Sequence, residues 1–382
     1  MTATRTREIS SLDVMRLAAA QAVMIYHLVF MSWAEEGARG IRAVVGEPVI
    51  FPDAVAWGSL GWVGVQIFFV ISGFVILMSA QNKSATEFLI GRVTRIVPAL
   101  WFFTVLSALV LLAGGALTLS ELTPRFLRSM ALFPVGPWVD GAVWTLVVEA
   151  LFYAAIFAII RAGMIDRITT VALAATGFNI LFWWVVLAGE AGLSGDMGRQ
   201  LAVAASSYKL RVTLISTNCY FVVGATLYQV FMRRAVGVNL TLFLINFGIG
   251  LIATYYAARS SLGVAQYGQT PFAAVAVWGG LTLLMSLCVL FRVGSSPRAA
   301  QFATVAGLLT YPLYLINQIT GGYLLGLFFR SGLSPVLAVI LTALVCTGLA
   351  AIFALVLERR MQMQLSKVLW HCRRSIPVLR EA

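Results

Sequence analysis

Few side chains in this sequence are equipped for chemistry, and their spacing narrows what that chemistry is. The 382 residues include 2 histidines, His27 and His371. His371 lies in a basic carboxy-terminal stretch that reads as a surface segment, so a buried general base has to be His27. His27 sits in an apolar run, SLDVMRLAAAQAVMIYHLVFMSW, eleven positions after Arg16. Eleven steps of about 100° return almost to one helix face, and about 1.5 Å per residue puts the two groups roughly 16 Å apart along it. An arginine near one end of such a stripe and a histidine deeper along it suit the two ends of a substrate channel.

Glu149 is the one carboxylate placed well inside an apolar run, DGAVWTLVVEALFYAAIFAII. An ionisable group there is costly and marks a functional site by default. Counted from the ends of their runs, His27 and Glu149 lie at matching depth, roughly 9–11 Å in. The carboxylate is therefore expected to pair with the imidazole and raise its basicity. Arg92 and Arg95 share the polar side of TEFLIGRVTRIV, residues 86–97, which reads as an interfacial helix leading through Pro98 into a span. Two accounts fit them: anchors for anionic headgroups, or forks for a phosphate.

Two further stretches are polar within apolar surroundings. Ser72 stands with Gly61, Gly64 and Gly73 in a run whose small residues suit close helix approach. Tyr311, Tyr314 and Gln318 form a stripe at i, i+3 and i+7 beside Pro312, fitting either interhelical hydrogen bonds or a channel wall. There is no GxxxxGK[ST] loop, HExxH, GxSxG or dinucleotide fingerprint, so nucleotide hydrolysis, zinc hydrolysis and dinucleotide chemistry have no support. The 4 cysteines form no CxxC pair, and no metal site is indicated. A histidine and carboxylate able to deprotonate a hydroxyl, beside cationic sites for a phosphate-bearing donor, describe acyl transfer to an alcohol. A transporter or flippase of a lipid-linked sugar, with His27 and Glu149 relaying protons, is the competing class. An inert assembly subunit is the third.

The elements that must position these groups are membrane helices. Hydrophobic residues make up 60% of the chain and charged ones 11%, against about a quarter charged in soluble domains. Ten spans are expected, near 12–33, 60–80, 97–115, 142–161, 168–188, 210–232, 238–258, 273–291, 302–328 and 334–357. With the N-terminus in the cytoplasm, 18 of the 27 Lys and Arg residues fall inside and 9 outside. That bias obeys the positive-inside rule and places both termini in the cytoplasm. The net charge of +12 is thus topology, not a nucleic-acid footprint. The first run is long and lacks a small-residue cleavage site, so it reads as an uncleaved span. The loops 34–59 and 189–209 read as solvated connectors or acceptor-facing elements. The expected fold is an all-α polytopic membrane protein, a bundle of about ten transmembrane helices over residues 1–360 with a basic cytoplasmic tail over 361–382, lying on membrane lipids.

Four stretches in this order resemble the bacterial acyltransferase-3 family of integral membrane O-acyltransferases. LDVMRLAAAQAVMIYH resembles its first-span signature, through Arg16 and His27. GVQIFFVISGF resembles its second-span block, through Phe68, Phe69, Ser72, Gly73 and Phe74. GRVTRIVPALWF is similar to its paired-arginine block, through Arg92, Arg95 and Pro98. WTLVVEALFY resembles a further block, through Trp144, Glu149 and Tyr153. Weaker echoes are FVVGATLY at 221–228, LTYPLYLINQ at 309–318 and LER at 357–359.

The resemblance implies an acyl-CoA co-substrate, most often acetyl-CoA, with no bound cofactor. It also implies an extracytoplasmic carbohydrate acceptor and a place in the bacterial inner membrane. On that reading Arg16, Arg92 and Arg95 bind the donor, His27 and Glu149 are catalytic, and Ser72, Trp144, Tyr153, Tyr311, Tyr314, Asn317 and Gln318 line the acceptor path or channel. Two positions depart from the pattern. Asn317 stands where many relatives have histidine, which removes a second base, and Arg360 stands where many have proline. No fused hydrolase-like domain is expected, so transfer is direct or uses a separate polysaccharide-assembly partner.

Overall fold

The computed structural model describes residues 10–35, 40–46, 50–193, 195–205, 207–294 and 296–372. Arg5, Arg7, Glu36, Glu47 and the tail beyond Cys372 lie outside them. Among the described residues there is no strand, and 10 helices are long and apolar enough to cross a membrane. This is the form that a chain takes where no water can satisfy its backbone. We label the main helices α1 (Ser10–Ala34), α2 (Val63–Ala80), α3 (Ala85–Ala113), α4 (Leu119–Met130), α5 (Val143–Arg161), α6 (Ile168–Glu190), α7 (Leu214–Phe231), α8 (Val236–Arg259), α9 (Pro271–Leu290), α10 (Pro297–Ile316), α11 (Ile319–Arg330) and α12 (Pro335–Cys372).

Helix starts follow local chemistry. Ser84 and Glu87 form a capping box ahead of α3, Thr118 and Glu121 another ahead of α4, and Ser296 caps α10 with Pro297 in its first turn. Helices α2 and α7 cross at backbone contact. A Cβ on Gly73 would lie 2.1 Å from the Phe221 carbonyl oxygen, and one on Gly224 1.8 Å from that of Val70. Only glycine permits that approach, so Gly73 serves packing. Asn179, Asn246 and Thr176 exchange hydrogen bonds at 2.7 Å across α6 and α8, and Asn218 of α7 joins them at 3.1 Å.

Three departures from the expected spans shape the site. First, α3 is one 29-residue helix running through Pro98, so the interfacial segment and the span are continuous. Proline removes the donor that would reach Thr94 O, yet the helix continues, and Tyr311 Oη donates to Ile96 O at 3.1 Å, tying α10 to this turn. Second, the span expected over 302–328 is divided. α10 stops at Ile316, and α11 begins at Ile319. Asn317 turns its amide back onto Leu313 O and Tyr314 O, both at 2.9 Å, bonding locally where the helix ends.

Third, α4 has no counterpart among the expected elements. The turn after α3 sends it back along that helix until Met130 O accepts from Trp101 Nε1 at 3.0 Å, about 18 Å below the end of α3 at 1.5 Å per residue. Val139 N then bonds Ser129 Oγ at 2.9 Å, so α5 begins beside the last turn of α4 rather than level with the end of α3. Helices α1 and α12 each contain a π-helical segment, Tyr26–Met31 and Phe353–Glu358.

The connection into α5 carries Asp140, a buried carboxylate whose Oδ1 accepts from Ala142 N at 2.7 Å. Burial lifts its pKa from 3.8 to about 7, against the lowering effect of the Ala142 and Ile319 N–H groups. The folded value exceeds the unfolded one, so its contribution to stability is complete below about pH 4 and is lost as pH rises through about 7. Asp140→Asn keeps an acceptor and removes the titration. Thermal unfolding in detergent should find the variant gaining several degrees on wild type between about pH 5 and about pH 8. A difference that does not move with pH would disprove the assignment.

Candidate functional site

A cavity of about 250 Å³ lies among α1, α2, α3, α5 and α10, and eight of the expected site residues line it: Arg16, Ser72, Arg92, Arg95, Glu149, Tyr153, Tyr311 and Tyr314. Three guanidinium groups and one carboxylate on an otherwise aromatic and aliphatic wall make it suited to an elongated anion.

The three arginines are held in different ways. Arg16 Nη1 lies 3.4 Å from Asp13 Oδ1, one turn back on α1. Arg95 Nη1 lies 3.1 Å from Glu358 Oε1, and its Nη2 donates to Gly307 O at 3.4 Å. Glu358 ends the π segment of α12, is buried, and also accepts from Gln362 Nε2 at 2.9 Å. Its one trace in the sequence was the faint LER echo. Arg92 instead places its guanidinium over the rings of Phe88 and Tyr153, at 5.8 and 5.7 Å, and its Nε is buried without a partner. Among the described residues it is paired with aromatic faces rather than with a carboxylate.

Glu149 Oε1 accepts from Ser72 Oγ at 3.1 Å and from Tyr153 Oη at 2.7 Å. The imidazole expected to pair with it is held elsewhere. His27 lies in the π segment of α1, is buried, and its Nδ1 meets Asn317 Oδ1 at 2.5 Å. A bond between Thr145 Oγ1 and Tyr314 Oη, 2.9 Å, fixes the level of α5 against α10. From that level Glu149 is four residues one way and Asn317 three the other, about 10 Å apart along the axis. The matching depth failed because α5 starts deep, beside α4, and because the π turn alters the pitch of α1 between His27 and the end of the run. Arg16 lines the cavity, and His27 lies past its end.

The remaining residues fall around these. Gln318 Oε1 accepts from Ala142 N at 3.1 Å, joining the start of α5 to the break between α10 and α11. Trp144 packs edge-on to Phe69, with ring centroids 6.2 Å apart. Thr145, absent from the expected set, lies inside the WTLVVEALFY stretch, but nothing in its type marked it.

The Asn317 amide settles which imidazole nitrogen is free. Its Nδ2 donates to two backbone carbonyls, so its Oδ1 faces His27 as an acceptor, and swapping the two ends would set an oxygen against two oxygens. His27 Nδ1 therefore carries the proton. In the neutral ring Nε2 then carries the lone pair, the form that a general base requires.

A family model described as "Acyltransferase domain" matches residues 9–358. The chain is 34% identical over 105 residues to the exopolysaccharide production protein ExoZ of Rhizobium meliloti (strain 1021), covering 25% of this chain and 33% of that protein. It is 30% identical over 149 residues to nodulation protein 10 of Rhizobium leguminosarum bv. viciae, covering 30% of this chain and 41% of that protein. Each match thus spans less than half of the relative. No solved structure gives a significant match.

With 2 histidines in the chain, the tautomer can be read directly. Nitrogen-15 labelling of histidine should show one ring, His27, fixed with Nδ1 protonated. Asn317→Leu should release it to a mixture of tautomers while leaving His371 unmoved. A His27 signal identical in both proteins would exclude the bond.

Proposed function

Because the chain belongs to the acyltransferase-3 family, we propose that it is a membrane O-acyltransferase carrying an acyl group, in the first instance acetyl, from acyl-CoA to a carbohydrate hydroxyl. The observation that carries this reading is the sequence of groups along α10. A cavity with three guanidinium groups leads towards a histidine whose Nε2 is free to accept a proton.

In this mechanism Arg16, Arg92 and Arg95 hold the phosphates of CoA, with Arg92 making the strongest contact because no carboxylate competes for it among the described residues. The pantetheine arm lies in the cavity past Glu149 and Tyr311, and the thioester is presented towards His27. His27 Nε2 takes the proton of the acceptor hydroxyl as its oxygen attacks the thioester carbonyl. The tetrahedral adduct collapses with CoA as the leaving thiolate, which recovers the proton from the imidazolium. Asn317 stabilises that imidazolium through Nδ1–H, the role first assigned to Glu149. Glu149 acts on the donor side, anchoring Ser72 and Tyr153 and offsetting the arginine charge.

The charge bias along the chain supports an orientation with both termini in the cytoplasm, in a bacterial inner membrane. Donor entry is then cytoplasmic and the His27 end faces outward. ExoZ is named for exopolysaccharide production, which favours a surface polysaccharide or its lipid-linked precursor as acceptor.

Radiolabelled acetyl-CoA, purified protein and the host's own surface oligosaccharides, de-O-acylated with mild alkali, test this reading. Wild type should label the glycan. His27→Ala should lower the rate by about 10²–10⁴-fold at unchanged donor KM. Arg92→Ala should instead act chiefly by raising donor KM, about tenfold or more for a lost charge-assisted contact. Full labelling by His27→Ala sinks the base assignment, and movement of a sugar across vesicles without labelling would favour a transporter.

A further inference from the structure

The cavity stops short of the imidazole, and what stops it is specific. At one end, Arg16 and Arg95 keep 24% and 35% of their side chains exposed. At the other, Thr145 and Tyr314 are each 6% exposed and joined by their 2.9 Å hydrogen bond. Thr145 Oγ1 also gives its proton to Ala142 O at 2.9 Å, which leaves Tyr314 Oη as donor in the bond between them. The ring of Phe68, which also lines the cavity, stands edge-on to Tyr314, centroids 5.6 Å apart at 75°. Asn317 and His27 lie beyond.

Tyr311 and Tyr314 stand three residues apart on one side of α10, and Asn317 follows just past its end. The first lines the cavity, the second closes it, and the third holds the base. In the transfer proposed above, the Tyr314 ring stands between the cavity and the Asn317 that holds the base. The backbone on either side of that ring is interrupted, by Pro312, which lacks an N–H, and by the helix end at Ile316. A small displacement there breaks few ladder bonds, enough to admit a short group and not a long one.

We propose that Tyr314, bonded to Thr145 and packed edge-on to Phe68, is the constriction that sets the length of acyl group delivered to His27. This rests on the transfer reaction proposed above. It is a specificity determinant, acting on the acyl end of the donor and not on the CoA moiety, which the arginines hold. The constriction selects acetyl over longer chains because each added methylene has to be accommodated against a buried aromatic ring.

The test compares acetyl-, butyryl- and hexanoyl-CoA as donors to the same de-O-acylated oligosaccharides, reading kcat/KM for each. Wild type should favour acetyl. Tyr314→Ala should raise the butyryl-to-acetyl ratio by about tenfold or more, in the range by which pockets discriminate methylenes. Tyr314→Phe and Thr145→Val, which remove the bond and keep the bulk, should raise it less, and Thr145→Ser should keep the wild-type ratio. Should Tyr314→Ala fold poorly, Phe68→Leu, at the ring packed against it, carries the same expectation. Ratios unchanged across these variants, in proteins that still transfer acetyl, overturn the constriction alone. A wild type that transfers from none of the three donors overturns both this proposal and the reaction it rests on.

Discussion

The amide of Asn317 is fully committed, and the setting of His27 depends on that. Two N–H bonds go to carbonyls of its own helix and the oxygen goes to His27, at a depth where an unpartnered imidazole would be expensive. Asn317 stands just where α10 ends, with carbonyls one turn back and a partner on α1 both in reach. The break in α10 and the π turn in α1 thus meet at one side chain. Each gives up regular backbone bonding, and a single side chain crossing between them fixes both the ring and its proton.

The arginine-lined cavity follows a different rule. Its charges are numerous and are mostly balanced before any ligand arrives. Asp13 faces Arg16, and Glu358, delivered by the second π turn, faces Arg95. A buried guanidinium without such a counterpart would be costly, and one with too strong a counterpart would have nothing left for an incoming anion. Stacking between Phe88 and Tyr153 gives Arg92 a third solution, a rigid position without neutralisation. The cavity is thus positive in character while only one of its arginines lacks a carboxylate neighbour among the described residues.

Much of this was legible in the sequence. The ten apolar runs correspond to helices because hydropathy over about twenty residues reflects the bilayer itself, which acts on every span alike. The Arg16, Arg92, Arg95 and Glu149 set meets in one cavity because its members lie on regular helix faces. What failed were inferences that assumed uniform pitch or uniform starting level. The His27–Glu149 pairing rested on counting inward from span ends, and neither the deep start of α5 nor the π turn leaves a mark in hydropathy. Helix α4 was missed for a related reason: it is short and amphipathic, and it is held by a tertiary bond to Trp101. Asn317 was read as the absence of a second base and as part of a channel wall, not as the partner of His27. Its value comes from a partner 290 positions away, which spacing along one helix cannot reveal.

The π segment in α1 has a consequence for how this chain tolerates change. A π turn is an α-helix holding one residue more than its neighbours' bonding pattern accommodates. Substitutions within Tyr26–Met31 alter side chains one at a time, whereas deleting a single residue there would restore a plain α pitch. The helix on either side would keep its phase against α2 and α10, but the turn itself would be reseated and His27 drawn off its bond to Asn317. Sequence length across those six residues is consequently under tighter restraint than sequence identity. Insertions and deletions should accumulate among descendants of this chain in its loops and spare this turn, even where the residues around His27 have drifted.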